Sequence, residues 1–389
     1  MSGLKIALVA GEPSGDALGA KLINALRETT NGKISFVGVG GPRMEAAGLE
    51  SAFPLSEVAV MGILPVLARL PRIFRHISWA VEHIIDAKPD GLVLIDSPDF
   101  THRVARRVRA KLPDLPVIDY VSPTVWAWRP GRARKMRAYV DKVLALLPFE
   151  PAAHARLGGP PCVYVGHPLI ERLAELRPDA EESARRESKP PVVLVLPGSR
   201  RSEISRLMPD FGAALGALAH TLGPFDIVLP TLPHLHAEVT ARAARWPAAP
   251  RLLISEADKL AAYRTARAAL VASGTATLEV ALAGVPLIGA YKVSRLEEPL
   301  KHFISVPSIL LPNLILEERA IPEFLQHDCT PGPLALAMAG IITDGPERTA
   351  QLEALARLDA KMRLPGDERP SRAAARETLA TIRERAGAR

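Results

Sequence analysis

The sequence predicts an α/β protein whose parallel strands are divided between two domains. Short apolar runs, such as Leu4–Ala10, Val192–Leu196 and Ala268–Ala272, alternate with helical segments along most of the chain. Such alternation is typical of parallel strands connected by helices on both faces of a sheet. The length of 389 residues exceeds the usual size of a single hydrophobic core, so we expect two domains.

The strands are predicted from apolar runs bounded by turn residues. In the first half these runs are 4–10, 34–39, 91–96, 116–121, 142–148 and 162–165. In the second half they are 192–196, 225–229, 251–254, 268–272 and 285–290. The segment 177–190 between the two series is polar and charged, and we interpret it as the crossing between the domains.

Composition limits the class of protein and the kind of partner. With 48% hydrophobic and 23% charged residues, the chain has the composition of a globular protein rather than a disordered one. A net charge of +7 favours anionic partners, although an arginine-rich composition can also be a genomic habit. Only two cysteines occur, Cys162 and Cys329, which disfavours a disulfide framework and fits a reducing cytoplasm. Neither a signal peptide nor a membrane-spanning run is predicted.

A candidate anion site lies where the run Ala268–Ala272 meets the next predicted helix. Ser273, Gly274 and Thr275 are the small and hydroxyl residues that favour a helix start. Free backbone N–H groups and the helix dipole suit such a start to a diphosphate. Glu279 follows one turn later on the same face, where its carboxylate can accept hydrogen bonds from sugar hydroxyls. The alternative is an ordinary strand–helix unit with Glu279 in solvent.

A second loop of similar character follows the run Val192–Leu196. It contains Gly198, Ser199 and Arg200, and the planar guanidinium of arginine can donate two parallel hydrogen bonds to phosphate. Loops at the carboxyl ends of parallel strands converge on the ligand crevice. The two loops together therefore predict a nucleotide-diphosphate pocket in the second half.

Three loops of the first half are also candidates for contact with a ligand. The loop 11–16 reads Gly-Glu-Pro-Ser-Gly-Asp, and it is either a tight turn or a ligand-contacting loop. It lacks the G-x-G start of the dinucleotide fingerprint, which disfavours a nicotinamide-dependent dehydrogenase. Asp99 follows the strand 91–96, where it is either a catalytic group or a helix cap, and Asp96 can serve structurally in the same turn. Trp126 and Trp128 either pack the domain edge or form a wall for an apolar or sugar ligand.

The segment 61–77 has apolar residues at helical spacing and arginines at other positions. Because Pro65 and Pro71 interrupt it, we expect one or two short helices rather than a single long one. An apolar face flanked by arginines suits contact with anionic lipid, and the alternative is a core-facing helix with a solvated basic side. The residues predicted to face lipid are Ile63, Leu64, Leu67, Leu70, Phe74, Arg69 and Arg72.

Taken together, these motifs resemble the lipid-A-disaccharide synthase family, glycosyltransferases of outer-membrane lipid synthesis. The matching pieces run in order across nearly the whole chain: GEPSGD (11–16), VGGP (39–42), MGI (61–63), DSPDF (96–100), YVSPTVWAWR (120–129), LLPFE (146–150), GHPL (166–169), LPGSR (196–200), SGTATLEVAL (273–282), LPN (311–313) and PEFLQ (322–326). The proline content of the element after residues 61–63 departs from the family pattern.

The resemblance implies a glycosyltransferase-B architecture, with two Rossmann-like domains that face each other across a cleft. The expected domains are 1–170, on the acceptor and membrane side, and 171–345, on the UDP-sugar donor side. A C-terminal segment, 346–389, is expected to pack back on the first domain, of the same chain or of a partner subunit in a homodimer.

The resemblance also implies the reaction. The glucosaminyl unit of UDP-2,3-diacylglucosamine passes with inversion to the 6-hydroxyl of 2,3-diacylglucosamine 1-phosphate, giving a β-1,6 disaccharide and UDP. Both substrates carry acyl chains, so the enzyme is expected to lie on the cytoplasmic face of the inner membrane without spanning it, and this favours the lipid-facing interpretation of 61–77. No cofactor or nucleic acid is expected. No D-x-D pair occurs in the sequence, so we expect catalysis without a metal ion.

Roles for single residues are carried over from the matching motifs. Asp99 is expected to be the general base. Arg200 and the 273–275 turn are expected to hold the diphosphate, and Glu279 is expected to hold the ribose. Asn313, an amide in an apolar segment, is expected to shape the nucleotide pocket, the alternative being an ordinary turn asparagine. The residues expected on the acceptor side are Gly11, Ser14, Gly15, Asp16 and Trp126.

Two other functions remain compatible with the nucleotide signals of the second half. A UDP-sugar 2-epimerase or another lipid-linked UDP-sugar transferase would share those signals but would lack the tryptophan loop and the lipid-facing element. A non-enzymatic, peripheral membrane nucleotide-binding protein would have no use for Asp99.

Overall fold

The computed structural model describes residues 3–58, 63–294 and 306–387, and in the helix that begins at Ile63 it describes side chains from Pro71 onward. The chain folds into two compact units. The first consists of Met1–Pro168 together with Arg363–Arg389, and the second consists of Leu169–Met362.

The first unit is built on a seven-stranded parallel sheet. Its strands are β1 (Leu4–Ala10), β2 (Ile34–Val39), β3 (Leu49–Ser51), β4 (Gly91–Ile95), β5 (Val117–Tyr120), β6 (Lys142–Ala145) and β7 (Cys162–Tyr164). They lie in the order β3-β2-β1-β4-β5-β6-β7, with Ala7 of β1 paired to Val37 of β2 and to Leu92 of β4. From β1 the chain adds strands toward one side of the sheet, and from β4 it adds them toward the other side. The strand order therefore reverses between β1 and β4.

Helices cover both faces of this sheet. They are α1 (Pro13–Thr29), α2 (Pro42–Ala46), α3 (Ile63–Ala87), α4 (Pro98–Lys111), α5 (Gly131–Met136) and α6 (Glu150–Arg156). Because successive side chains of a strand point to opposite faces, Ile6 and Leu8 join a core that contains Leu22, whereas Ala7 and Val9 join the opposite core. The predicted α/β layering of the first half is present in this unit.

The second unit contains a six-stranded parallel sheet of related topology. Its strands are β8 (Val192–Leu196), β9 (Asp226–Pro230), β10 (Arg251–Leu253), β11 (Ala268–Ala272), β12 (Leu287–Tyr291) and β13 (Glu323–Leu325). They lie in the order β10-β9-β8-β11-β12-β13. Here the reversal falls between β8 and β11, which correspond in position to β1 and β4 of the first sheet.

The helices of the second unit surround this sheet. They are α7 (Leu173–Leu176), α8 (Ala180–Glu187), α9 (Arg201–Leu222), α10 (His236–Ala243), α11 (Glu256–Thr265), α12 (Thr275–Leu282), α13 (Leu311–Leu316), α14 (Pro331–Ile342) and α15 (Pro346–Met362). On one face, buried Phe211 of α9 and Met338 of α14 pack in the same core as Val193 and Val195 of β8.

The C-terminal segment divides between the units. Helix α15 packs against α12, α13 and α14 within the second unit. The last helix, α16 (Pro370–Gly387), packs on α1 and against β5 and β6, and its Ala374 and Leu379 are buried in the core of the first unit. Of the segment 346–389, only the part from Arg363 onward therefore belongs to the first unit.

Helix α3 corrects the expectation that prolines divide its segment into short helices. It runs without interruption over the 25 residues from Ile63 to Ala87, with Pro71 inside. Pro65 is the third residue of the helix, where the backbone N–H has no partner in the preceding turn and its loss costs little. Pro71 occupies an exposed position, where water can satisfy the carbonyl that the missing N–H leaves free.

The segment 177–190 is not a linker between the domains, as its composition suggested. It belongs to the second unit and contains α8. The guanidinium of Arg186 donates to four carbonyl oxygens, those of Tyr263 and Arg264 in the last turn of α11 and those of Ala283 and Gly284 just after α12. Burial, followed by the charge of Arg348, lowers the pKa of Arg186 to about 10, so it stays charged at neutral pH.

Among the described residues, no helix combines the length and the apolar character needed to cross a lipid bilayer.

We expect the change Arg186→Leu to lower the free energy of unfolding of the second unit by about 3 kcal/mol, because it leaves carbonyl groups at the ends of two helices without their donor. The measurement is urea unfolding at pH 7, followed by circular dichroism. The matched control is Arg185→Leu, since Arg185 bonds Ser188, Pro190 and Asp226 at the surface and should contribute about 1 kcal/mol or less. Equal losses in the two variants would contradict the role of Arg186.

Candidate active site

A cavity of about 390 Å³ lies in the second unit, at the carboxyl ends of β8 and β11. In open α/β sheets this edge, at the point where the strand order reverses, is where ligands bind. Seven residues predicted to bind a UDP-sugar line the cavity: Gly198, Ser199, Arg200, Ser273, Gly274, Thr275 and Glu279. The structure therefore brings the two predicted loops together around one cavity.

A wider groove of about 1120 Å³ is present elsewhere in the second unit, against α14 and α15. It includes Pro322, which precedes β13, so it adjoins the amino end of that strand. This is the opposite edge from the one at which ligands of such sheets bind, and the smaller cavity is the better candidate for a nucleotide.

Three helices begin at the wall of the smaller cavity, and they differ in how their first N–H groups are satisfied. At the start of α9, the carboxylate of Glu203 accepts from the N–H groups of Ser199 and Arg200. At the start of α11, the hydroxyl of Ser255 accepts from the N–H of Asp258. At the start of α12, after Gly274, no side chain of the described residues caps the helix. The first N–H groups of α12 therefore face the cavity without a side-chain acceptor among the described residues, and they can bind an external anion.

The carboxylate of Glu279 is held at the cavity wall by two side chains of α11. The hydroxyl of Tyr263 donates to Glu279 Oε2 at 3.0 Å, and Lys259 Nζ lies 3.5 Å from the same oxygen. Glu279 is partly buried, not free in solvent as the alternative interpretation proposed. One carboxylate oxygen is thus engaged within the protein, and the group remains a lining residue of the cavity.

Asn313 lies outside the described lining of the cavity. Its buried amide donates to the carbonyl of Ile321 and to Glu323 Oε1, and its oxygen accepts from the N–H of Ile321. Glu323 in turn accepts from the N–H of Ile309, whose carbonyl accepts from the hydroxyl of Ser273. This chain of hydrogen bonds therefore connects Asn313 to Ser273 in the wall of the cavity.

In the first unit, two predicted loops meet at the equivalent edge, after β1 and β4. Ser14 Oγ donates to Asp96 Oδ2 at 2.9 Å, and Ser97 Oγ donates to Glu12 Oε1 at 2.8 Å. Gly11 packs so closely that a Cβ there would lie 2.6 Å from Ser97 Cβ. Asp96 and Ser97 both have positive φ, a costly conformation for residues with side chains. The expected structural role of Asp96 in this turn is present.

Asp99 follows this turn in the first turn of α4. Its side chain is 82% exposed and accepts a hydrogen bond from Arg132 Nη2 at 2.9 Å. Among the described residues, α4 has no side-chain cap, so Asp99 does not serve as the helix cap proposed as the alternative. Its carboxylate is accessible at the carboxyl edge of the sheet.

Two residues expected on the acceptor side have structural positions instead. Asp16 is buried, and its carboxylate accepts from the N–H groups of Gly41, Arg43 and Met44 at the start of α2. Gly15 is buried in the first turn of α1, where a Cβ would lie 3.0 Å from the carbonyl oxygen of Ile95. Neither of them presents a polar side chain to a ligand.

Trp126 is tied to a buried carboxyl group. Its Nε1 donates to Glu150 Oε1 at 3.1 Å, and its ring meets that of Phe149 edge-on at 5.1 Å between centroids. Burial raises the pKa of Glu150 to about 7, against the lowering effect of the N–H groups of Leu147, Trp126 and Leu146. Trp126 is thus fixed by Glu150 and Phe149.

From Pro71 onward, helix α3 has both buried and exposed apolar side chains. Ile77 and Ile84 are buried in the core, whereas Phe74 is 41% and Trp79 is 55% exposed. Arg72 is exposed and pairs with Glu57. The side chains of Ile63, Leu64, Leu67, Arg69 and Leu70 lie outside the described part of the chain.

Sequence reasoning missed several residues of the cavity. Lys259 and Tyr263 on α11 gave no signal, because their contact with Glu279 joins two separate helices. Glu203 could have been identified from the sequence, since a glutamate three residues after the N-cap position is the capping-box spacing.

Comparison with known proteins connects this geometry to one family. The family model for lipid-A-disaccharide synthetase matches residues 6–376. The lipid-A-disaccharide synthase of Nitrobacter winogradskyi is 54% identical over 381 residues, which cover 98% of this chain and 96% of the relative. That of Rhodospirillum centenum is 43% identical over 389 residues, covering 99% and 96%.

Solved structures of low sequence identity share the fold. MurG of Acinetobacter baumannii has a TM-score of 0.58 at 15% identity, covering 97% of this chain and 99% of that one. The calicheamicin glycosyltransferase CalG4 has a TM-score of 0.59 at 17% identity, covering 98% and 99%. The S. aureus MnaA–UDP co-structure has a TM-score of 0.63 at 14% identity, covering 99% and 97%. The glycosyltransferase-B fold expected from the sequence is confirmed, and the chain belongs to the lipid-A-disaccharide synthase family.

Proposed function

We propose that the protein transfers the glucosaminyl unit of UDP-2,3-diacylglucosamine to the 6-hydroxyl of 2,3-diacylglucosamine 1-phosphate. The products are the β-1,6-linked disaccharide 1-phosphate and UDP. The observation that carries the proposal is the cavity at β8 and β11, where an uncapped helix start, Arg200 and Glu279 lie together. A UDP-sugar needs these groups: donors for its diphosphate and a carboxylate for its ribose hydroxyls.

The diphosphate binds at the start of α12. The first N–H groups of this helix and its positive dipole end face an anion without a competing side chain among the described residues. Arg200, whose side chain is 64% exposed, adds a full positive charge from the neighbouring loop. These groups also stabilise the charge that develops on UDP as it leaves, so the reaction proceeds without a metal ion.

Asp99 is the general base, and the transfer is a single inverting displacement. Asp99 removes the proton of the acceptor 6-hydroxyl, the hydroxyl oxygen attacks the anomeric carbon of the donor sugar, and the bond from that carbon to UDP breaks. The position of Asp99 in the first turn after β4, with its carboxylate exposed, supports this role. Arg132 orients the carboxylate by donating to one of its oxygens, and the other oxygen remains for the acceptor.

The enzyme works on the cytoplasmic face of the inner membrane, because both of its substrates carry acyl chains. Helix α3 is the contact with lipid: Phe74 and Trp79 are exposed apolar side chains, and Arg72 and Arg75 beside them are exposed cations. Aromatic rings next to arginines favour an interface with anionic headgroups. We also propose that the protein forms a homodimer, and this part of the proposal rests on the family resemblance.

Incubation with both diacylated substrates should yield the disaccharide 1-phosphate, detected by mass spectrometry. In the same assay Asp99→Asn should reduce turnover by about 10²- to 10⁴-fold, because the acceptor hydroxyl loses its base. Its affinity for UDP should stay within about twofold of wild type, since Asp99 lies in the other unit from the nucleotide cavity.

The control for that experiment is Asp86→Asn, an exposed aspartate near the C-terminal end of α3 that should leave turnover unchanged. Loss of UDP affinity and turnover in equal measure would reject Asp99 as the base. A wild-type protein that makes no disaccharide would reject the proposed function itself.

We expect Glu279→Gln to weaken UDP binding by about tenfold, because a neutral amide accepts weaker hydrogen bonds from the ribose hydroxyls. Calorimetric titration with UDP and with 2′,3′-dideoxy-UDP gives the sharper measurement. Wild type should prefer UDP, and Glu279→Gln should bind the two nucleotides almost equally. Glu256→Gln, a change in the same cavity, is the control and should retain the preference. A preference that survives in Glu279→Gln would remove the ribose assignment.

The double change Phe74→Ser and Trp79→Ser should reduce co-sedimentation with phosphatidylglycerol vesicles by about tenfold, because two exposed aromatic side chains no longer enter the interface. The control is Leu336→Ser, which alters a side chain that is 78% exposed in the second unit and should leave vesicle binding intact. If the double variant, still folded, sediments with lipid like wild type, helix α3 is not the membrane contact.

A further inference from the structure

The carboxylate of Glu203 occupies an unusual position for a group beside a diphosphate site. It lies in the first turn of α9, lines the cavity and is only 6% exposed. A buried negative charge at this place should repel an anionic ligand. The presence of the Glu203 carboxylate in the wall of the cavity therefore needs a physical reason.

The two oxygens of Glu203 bond to different parts of the same loop. Oε2 accepts from the N–H of Ser199 at 3.0 Å and from the N–H of Arg200 at 3.2 Å. Oε1 accepts from Arg200 Nη1 at 2.9 Å. A single carboxylate thus fixes both the backbone of the loop and the guanidinium that extends from it.

Gly198 allows the loop to close around this carboxylate. Its φ of +113° lies in the region that side-chain-bearing residues rarely adopt, and a Cβ there would lie 2.5 Å from Glu203 Oε2. The loop is therefore shaped to receive the glutamate, and the N–H groups of Ser199 and Arg200 are already used within the protein.

The bond to Glu203 leaves Arg200 with most of its donors. A guanidinium has five N–H groups, and the side chain of Arg200 is still 64% exposed. An unrestrained arginine loses considerable rotamer freedom when it binds a phosphate, whereas one that is held in advance loses less. The ion pair therefore favours binding by Arg200 even though the partner is itself an anion.

We propose that Glu203 is a positioning residue for the diphosphate of the donor. It holds Arg200 in the orientation that receives the phosphates, and it occupies the N–H groups of Ser199 and Arg200, while the anion binds at the start of α12. This inference rests on the proposed function, because it takes a UDP-sugar as the ligand of the cavity.

The test is a double-mutant cycle read by calorimetric titration with UDP. In Glu203→Gln the side chain keeps one acceptor oxygen. Its amide nitrogen cannot accept a hydrogen bond from the N–H groups of the loop or from Arg200, so Arg200 is no longer held in place. UDP affinity should fall by about tenfold in this variant, and kcat should change less than KM. In the Arg200→Ala background the same change should alter UDP affinity by less than about twofold, because no guanidinium remains to be positioned.

Arg201→Ala is the matched control, since the neighbouring arginine is 75% exposed and pairs with Glu238 instead. In that background Glu203→Gln should again cost about tenfold. If Glu203→Gln proves too unstable to titrate, Glu203→Asp provides the second variant. It keeps the charge, shortens the reach by one methylene and should give the same dependence on Arg200.

An equal loss of affinity in the wild-type and Arg200→Ala backgrounds would overturn the proposal, because it would mean a merely structural role for Glu203. Tighter UDP binding in Glu203→Gln would overturn it too, since repulsion would then dominate. A wild-type protein that does not bind UDP, or an Arg200→Ala variant with unchanged affinity, would instead overturn the diphosphate assignment and this inference with it.

Discussion

The geometry of the cavity at β8 and β11 depends on one guanidinium, that of Arg186, which bonds both helices of its wall. Arg186 bonds the carbonyl groups at the C-terminal ends of α11 and α12, while the N-terminal ends of the same two helices form the cavity wall. Because a helix is a stiff rod, fixing its last turn also fixes the direction of its start. This restraint explains how Tyr263 on one helix and Glu279 on the other keep a direct hydrogen bond.

The three helix starts at this cavity differ in the side chains that accept from their backbone N–H groups. At α9, Glu203 accepts from the N–H groups of Ser199 and Arg200, and at α11, Ser255 accepts from that of Asp258, whereas α12 has no side-chain cap among the described residues. The net charge of +7 is a property of the whole chain and could not have distinguished these three starts. In the first unit, the loops after β1 and β4 are bonded to each other at the corresponding reversal point.

The sequence predicted the strands and the edge of each sheet that carries the site, because uninterrupted apolar runs and the turns that follow them are local signals. Strands β3 and β13 gave no such signal, because their three residues, Leu-Glu-Ser and Glu-Phe-Leu, do not form an uninterrupted apolar run. The role of Asp16 could not be predicted, since its three N–H donors lie more than 20 residues away along the chain. Arg186 was missed because a polar, apolar-poor segment looks like a linker until its long-range partners are known. The prolines of α3 led to the wrong prediction of short helices, because the free-energy cost of a proline depends on its position in the helix.

The return of α16 to the first unit makes the second unit an insertion in the chain. Ala373, Ala374 and Leu379 complete a core that begins with Ile6 and Leu8, so the first unit is assembled from both ends of the polypeptide. During synthesis, the second unit can fold as soon as residue 362 has left the ribosome, whereas the first unit must wait for α16. The unit that contains Asp99 and helix α3 is therefore completed after the unit that contains the cavity at β8 and β11.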